Sequence, residues 1–104
     1  MSNAPYVPDV GHIIWLGRRP FLVLSPRAYN AKTSLAIGVP VTTARKGYPF
    51  EVPLDPAGRV SGVALADQVK SLDWRARFAD YAEDVAPATL HNVRAMIATL
   101  LDLR

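Results

Sequence analysis

The stretch HIIWLGRRPFLVLS, residues 12–25, decides how this chain begins to fold. Two runs within it, 12–16 and 21–25, are rich in β-branched, aromatic and other apolar residues, a composition typical of strands. Only the four residues 17–20, GRRP, lie between the runs, a length that suits a tight hairpin. The stretch therefore predicts two antiparallel strands joined by a short turn.

Further short strands are predicted after this hairpin. Pro26 ends the second strand, and residues 26–32 predict a turn or one short helical turn. Turn signals rich in glycine and proline then separate the remaining β-prone runs, which are 34–41, 50–53, 62–66, 68–74 and 77–81. The two runs at 62–66 and 68–74 could also form one long bent strand.

Only the C-terminal segment has helical periodicity. Apolar residues recur there at the spacing of one helix face, at Leu90, Val93, Ile97, Leu100 and Leu101. We interpret this face as core, with an edge available to a dimer. Short strands, tight turns and one terminal helix predict a mainly β fold with a C-terminal helix: a small, strongly curved antiparallel barrel capped by that helix.

The composition limits the class of protein. A chain of 104 residues is enough for one domain, which we expect to span 1–104. Half of the residues are hydrophobic and 20% are charged, which excludes an intrinsically disordered chain. Cysteine is absent, so disulfides, thiolate metal sites and a cysteine nucleophile are excluded. With no apolar run of membrane-spanning length and no secretory pattern in residues 1–12, we expect a cytoplasmic protein.

Basic residues dominate the first half of the chain. The net charge is only +3, yet residues 1–50 carry six arginines and lysines against a single acid, Asp9. No acid occurs between residues 10 and 50. Such a distribution indicates one positive face, as nucleic-acid-binding proteins have. The alternative is an ordinary basic protein whose charges scatter once it is folded.

Four segments are more specific than generic strands. They are YVPD at 6–9 leading into Ile14-Trp15, RPFLVLSP at 19–26, TTARKGYPFEV at 42–52 and GVALADQVKSLDWRAR at 62–77. Together, from about residue 5 to residue 103 and in the family's order, they closely resemble the MazF/PemK family of toxin endoribonucleases from bacterial toxin–antitoxin pairs.

This resemblance implies a homodimer of small SH3-like antiparallel barrels, the fold that PemK toxins share with CcdB. It implies sequence-specific cleavage of single-stranded RNA, with mRNA as the target, and inhibition by a cognate MazE-like antitoxin. The family's reaction uses neither a metal nor another cofactor: the 2′-OH of the RNA attacks, leaving a 2′,3′-cyclic phosphate and a 5′-OH. The sequence agrees with this, because its only two histidines, His12 and His91, belong to no metal-ligand motif.

Two residues fall on the catalytic positions of this family. Arg19 matches the active-site arginine, and its planar, permanently charged guanidinium suits the stabilisation of charge on the scissile phosphate better than it suits proton transfer. Thr42 matches the active-site threonine, whose hydroxyl could donate to a phosphate oxygen. The adjacent Thr43 is the competing candidate for that role.

The resemblance also indicates RNA-binding residues. Gln68 matches a position that contacts RNA in relatives, and its amide offers a donor and an acceptor to an unstacked base. The rest of the predicted RNA-binding set is Arg18, Thr43 and Lys46, with Arg45 and Lys70 as further cations for phosphates. We interpret Trp15 and Trp74 as structural residues, although exposed tryptophans can stack on bases.

The sequence departs from the family pattern at two places. Relatives carry a longer, acidic and glycine-rich loop after the first strand, whereas Trp15-Leu16 here runs straight into Gly17, so we expect weaker positioning of RNA and lower activity. Ala44 stands where several relatives have a glutamine that contacts the substrate, which leaves the recognition sequence open.

Three alternatives compete with a catalytic toxin acting through Arg19 and Thr42. The shortened loop could leave a module that binds RNA or antitoxin without cutting. A gyrase inhibitor of the CcdB kind would act through its C-terminal helix and would need neither residue. His12 and His91 could form an acid–base pair of the pancreatic-ribonuclease kind, but nothing in the sequence brings them together.

Overall fold

A curved antiparallel sheet and two helices make up the computed structural model, which describes residues 5–103. The elements in chain order are β1 His12–Leu16, β2 Arg19–Val23, α1 Arg27–Thr33, β3 Leu35–Thr42, β4 Glu51–Pro53, β5 Val63–Leu65, β6 Lys70–Asp73, β7 Asp80–Asp84 and α2 Pro87–Leu100. The predicted fold class, mainly β with a C-terminal helix, is confirmed. Neither described helix is both long and apolar enough to cross a membrane.

The long strand β3 is the centre of the sheet. The strand order is β4-β5-β3-β2-β1-β7, and β6 joins the sheet by pairing with β3. One edge of β3 pairs with β2, while its other edge is shared: Leu35–Gly38 pair with β6, and Val41–Thr42 pair with β5. Since all of these pairs are antiparallel, β2, β5 and β6 each begin toward the C-terminal end of β3.

The hairpin predicted from residues 12–25 is present, with a tighter turn than expected. Leu16 pairs with Arg19, so the loop consists of Gly17 and Arg18 alone. Gly17 has a φ of 66°, whereas the φ of Arg18 is negative. Glycine at the first of two central positions is typical of a type II′ turn, whose twist matches that of the flanking strands. Arg19 is therefore a residue of β2 rather than of the turn.

Alternating side chains build a core on each face of the sheet. Ile13 and Leu22 belong to one buried cluster, and Ile14 and Phe21 belong to the other. Helix α2 covers the first cluster with buried Val93 and the half-buried side chains of Met96 and Ile97. Leu100 and Leu101 are 48% and 60% exposed, so within the chain they lie outside the core and form the edge of the face that we expect to be available to a dimer. The helix ends at Leu100, three residues after Ile97, the last helix residue that packs on the cluster.

Two other boundaries differ from the prediction. Residues 26–32 form most of a seven-residue helix, because the Asn30 side chain is buried and hydrogen-bonded to Ser25 and to the Pro8 carbonyl oxygen. The strand predicted at 77–81 lies at Asp80–Asp84 instead. Residues 74–78 are a turn, held by hydrogen bonds that converge on Asp73 and Trp74.

Candidate functional site

A groove of about 730 Å³ lies at the end of β3 toward which β2, β5 and β6 begin. It is bordered by the turn after β1, the segment that follows β3 and the loop between β4 and β5. Seven of the eight residues predicted for catalysis or RNA contact line this groove: Arg18, Arg19, Thr42, Thr43, Lys46, Gln68 and Lys70. The structure thus brings together residues that are up to about fifty positions apart in the sequence.

The antiparallel pairing of β2 and β3 brings Arg19 and Thr42 to the same end of the sheet. On β2 and β3, Phe21 pairs with Pro40 in an antiparallel ladder. The ladder ends at this pair, and Arg19 and Thr42 each lie two residues beyond it, so both lie past the same end of the ladder. Thr42 is itself fixed, because it pairs with Val63 of β5 on its other edge.

The register on the other edge of β3 brings in Gln68 and Lys70. Lys70 of β6 pairs with Gly38, and Gln68 lies two residues earlier, in the segment that leads from β5 into β6. The backbone N–H of Gln68 donates to the Leu65 carbonyl oxygen at 3.0 Å, which closes the turn between β5 and β6. Both side chains are exposed and line the groove.

The Thr42 hydroxyl has a defined local partner. Its Oγ1 accepts a hydrogen bond from the backbone N–H of Ala44 at 3.0 Å, so its own proton is available to donate toward the groove. Thr43 follows the end of β3, and its carbonyl oxygen accepts from the N–H of Arg45. Both threonines line the groove, but only Thr42 belongs to β3, where it pairs with Val63.

The groove is strongly positive. Five cationic side chains line it, namely Arg18, Arg19, Lys46, Arg59 and Lys70, against one carboxylate, Glu51. Within residues 5–103 none of the five forms an ion pair. The Glu51 carboxylate instead accepts backbone hydrogen bonds from Lys46 and Gly47 at 2.8 to 3.1 Å. Unpaired cations around a concave surface attract a polyanion.

Several groove residues were not predicted from the sequence. Arg59 comes from the loop between β4 and β5, and its only local signal is its position beside Gly58 in a turn. Tyr48 and Phe50 contribute stacked rings with centroids 5.2 Å apart. The exposed Arg45, by contrast, is not among the lining residues.

The two tryptophans have different roles. Trp74 is 4% exposed and its Nε1 donates to the Asn30 carbonyl oxygen at 3.0 Å, so the structural interpretation is confirmed for it. Trp15 is 36% exposed and lines the groove, so it is not a core residue of this chain. Trp15 is exposed because side chains alternate between the two faces of β1, and its neighbours Ile14 and Leu16 take the buried positions.

The histidines do not form an acid–base pair. Nδ1 of His12 lies 2.8 Å from the Tyr6 hydroxyl and accepts from the N–H of Asp9, while its Nε2 lies 3.6 Å from Asp84. His91 is exposed on α2. Neither histidine lines the groove. Among the residues that the structure describes, no group of three or more histidines and acids is placed to hold a metal ion.

The chain is similar to known proteins over most of its length. Residues 4–101 match the family described as PemK-like, MazF-like toxin of type II toxin–antitoxin system. The endoribonuclease toxin MazF of Escherichia coli is 50% identical over 107 positions, covering 92% of this chain and 96% of that protein. Because 92% of 104 residues is about 96, the relative has about eleven residues in the aligned region without a counterpart here.

Solved structures show the same likeness. The crystal structure of MazE-MazF (Form-III) from Deinococcus radiodurans superposes with a TM-score of 0.92 at 52% identity, covering 95% of this chain and all of that one. The structure of MazF alone from that organism (Form-I) superposes with a TM-score of 0.91 at 47% identity, over 95% and 100% of the two chains. The chain belongs to the PemK/MazF family of type II toxin–antitoxin toxins.

Proposed function

We propose that this MazF-like endoribonuclease toxin cuts single-stranded RNA, including mRNA, in the positive groove and without a metal ion. The 2′-OH of a ribose attacks the adjacent phosphate, and the bond to the next 5′ oxygen breaks. The products carry a 2′,3′-cyclic phosphate and a 5′-OH. The observation that carries this proposal is that Arg19 and Thr42 line one groove together with cations that form no ion pair in the described part of the chain.

Arg19 is the main electrostatic group in this mechanism. Charge builds on the non-bridging oxygens as the phosphate becomes five-coordinate, and a guanidinium meets two of these oxygens with parallel N–H donors. Since Arg19 lies in a paired strand one residue after a tight turn, its backbone is already fixed before RNA binds. Such preorganisation is what makes electrostatic stabilisation effective.

Thr42 supplies a second donor to the same phosphate. Its oxygen is occupied by the N–H of Ala44, which orients the hydroxyl and leaves its proton for a phosphate oxygen. The remaining RNA contacts are divided by chemistry. The amide of Gln68 and the hydroxyl of Thr43 suit base edges, while Arg18 and Lys46 suit flanking phosphates.

The proposed partners follow from the family. We propose that the protein is a single-domain cytoplasmic toxin that is inhibited by a MazE-like antitoxin. The antitoxin is proposed because the related MazF of Deinococcus radiodurans crystallises in a complex with MazE.

We also propose a homodimer. The exposed apolar end of α2, with Leu100, Leu101 and Leu103, offers surface for it. Native mass spectrometry tests the dimer, because a mass near 11.4 kDa would contradict it.

The deciding experiment is cleavage of a long unstructured RNA in EDTA, followed by analysis of the product ends. We expect cuts at a short recurring sequence with 5′-OH ends, and losses of at least about a hundredfold for Arg19→Ala and Thr42→Ala. Arg94→Ala, which removes an exposed helix arginine outside the groove, is the matched control. RNA binding without cleavage by the unmodified protein would instead identify a non-catalytic binding module.

A further inference from the structure

Glu83 of β7 holds the backbone of the loop that carries Arg59. Its Oε1 accepts from the N–H of Arg59 at 3.0 Å, and its Oε2 accepts from the N–H of Val60 at 2.7 Å. These two hydrogen bonds cross 23 and 24 positions of sequence. Both oxygens of one carboxylate are thus used to fix two consecutive peptide groups beside the groove.

The loop is held at further points. Val60 is 4% exposed and belongs to the core cluster, so the residue after Arg59 is anchored by packing as well. The N–H of Leu54 donates to the carbonyl oxygen of Gly62 at 3.0 Å, which closes the base of the loop. Gly58 leaves room for Glu83, since a β-carbon there would lie 3.1 and 3.2 Å from the two carboxylate oxygens.

Three consecutive residues of this loop, Arg59, Val60 and Ser61, line the groove, and Arg59 is the charged one among them. It is exposed, lines the groove with Arg19 and Thr42, and forms no ion pair within the described part of the chain. Glu83 holds the Arg59 peptide group rather than the guanidinium. The charge of Arg59 therefore stays available to a ligand in the groove.

We propose that Arg59 binds a phosphate of the RNA that flanks the scissile one, and that Glu83 is its positioning residue. This inference rests on the proposed function, because it takes the groove as the RNA site. An arginine whose backbone is fixed by two charge-assisted hydrogen bonds loses little freedom on meeting a phosphate, so more of the contact energy goes into binding.

The first test measures binding of a mixed-sequence 2′-O-methyl oligoribonucleotide, which cannot be cut because its nucleophile is blocked. We expect Arg59→Ala to bind about tenfold more weakly at moderate salt, and the slope of log affinity against log salt to fall by about 0.7, one phosphate's share. Arg94→Ala should change neither value. Unchanged affinity and slope for Arg59→Ala would overturn the assignment of Arg59.

The second test addresses Glu83. Glu83→Gln keeps the shape but turns one acceptor into a donor that faces a backbone N–H, and Glu83→Ala removes both acceptors. Either change should weaken binding in the unmodified background and add less than about twofold in an Arg59→Ala background. Full additivity would overturn the positioning role, and if Glu83→Ala fails to fold, Glu83→Gln decides.

The failures of the two proposals can be told apart. If the unmodified protein does not cut a long RNA in EDTA, the proposed function fails, whatever Arg59 does. If it cuts, and Arg19→Ala abolishes cutting while Arg59→Ala binds and cuts normally, only the present inference fails.

Discussion

Gly62 lies directly against the backbone of Thr42. A β-carbon at Gly62 would be 2.3 Å from the Thr42 carbonyl oxygen and 2.8 Å from its carbonyl carbon. Gly62 also has a φ of 120°, a conformation that residues with side chains rarely adopt. Because β5 begins with the next residue, Val63, this close approach fixes the strand pairing that holds Thr42.

Gly62→Ala should therefore destabilise the fold and displace Thr42. We expect a loss of roughly 1–3 kcal/mol in the free energy of unfolding, measured by urea denaturation, and reduced RNA cleavage where the variant is folded. Gly47→Ala is the matched control, because Gly47 also has a positive φ but has nothing within 4 Å of an added β-carbon. Equal losses for the two variants would contradict a steric role for the contact with Thr42.

Glu51→Ala should lower RNA cleavage with little change in thermal stability. The Glu51 carboxylate accepts hydrogen bonds from the backbone N–H groups of Lys46 and Gly47. These bonds fix the backbone of the segment that positions Lys46 at the groove. The segment is exposed, so its loosening exposes little apolar surface. Cleavage assays and a melting curve on the same sample check both parts. Glu51→Gln keeps one acceptor, so its cleavage activity should lie between those of the unmodified protein and Glu51→Ala. Full activity of Glu51→Ala would contradict the prediction.

Phe78→Gly should stabilise the protein. Phe78 has a φ of 53° and is 85% exposed, so a left-handed backbone is not offset by burial of the ring. Relief of that conformation is worth about 1 kcal/mol, less the entropy that glycine adds to the unfolded chain. Urea denaturation gives the difference. Ser34→Gly is the contrasting variant, because Ser34 is also left-handed but its hydroxyl donates to Asp73 at 2.8 Å, and it should show no gain.

Acid should remove the stabilisation that two aspartates provide. Backbone N–H groups of Arg27 and Val10 lower the pKa of Asp9, and the N–H of Ala76 with the Ser34 hydroxyl lowers that of Asp73. A carboxyl with a lowered folded pKa stabilises the fold above its unfolded pKa, about 4, and loses this as the pH falls through the folded value. Asp9→Asn and Asp73→Asn should therefore melt below the unmodified protein at pH 7.

The same variants should converge with the unmodified protein in acid. As the pH falls through the lowered folded pKa values, the carboxyls become protonated in the folded state as well, so the melting temperatures should approach one another. Asp67→Asn is the control, since within residues 5–103 the Asp67 carboxylate accepts no backbone hydrogen bond. A constant gap from pH 7 to pH 2 would show that the charge of these groups is not involved.

Local sequence patterns predicted most of the fold. Runs of β-branched residues between turn signals correspond to β1 to β6, because strand propensity and turn chemistry act over a few neighbouring residues. The errors occur where distant contacts decide. Helix α1 depends on buried Asn30, whose partner Pro8 is 22 positions away, and the last strand is delayed by the turn that follows Trp74. Neither contact leaves a local signal.

The candidate site was predicted less from physics than from resemblance. Arginine and threonine are common residues, and only the motifs around Arg19 and Thr42 distinguish them in the sequence. The catalytic and RNA-binding roles of these residues stay predictions until variants are tested. Arg59 was missed because its place in the groove depends on Glu83, and no pattern connects these two positions. The exposure of Trp15 was missed for a similar reason. Alternation shows that Trp15 faces away from Ile14 and Leu16, but which face of β1 is buried depends on contacts with distant parts of the chain.

The two-residue turn at Gly17-Arg18 makes this corner of the fold tolerant to changes of length. The partners Leu16 and Arg19 are fixed by the ladder on either side, so residues added between them would leave the sheet and project into solvent without shifting its register. The turn is therefore the natural point at which to graft a sensor peptide or an inhibitory segment. A guest placed there would sit at the rim of the groove and control access to it without altering the residues inside.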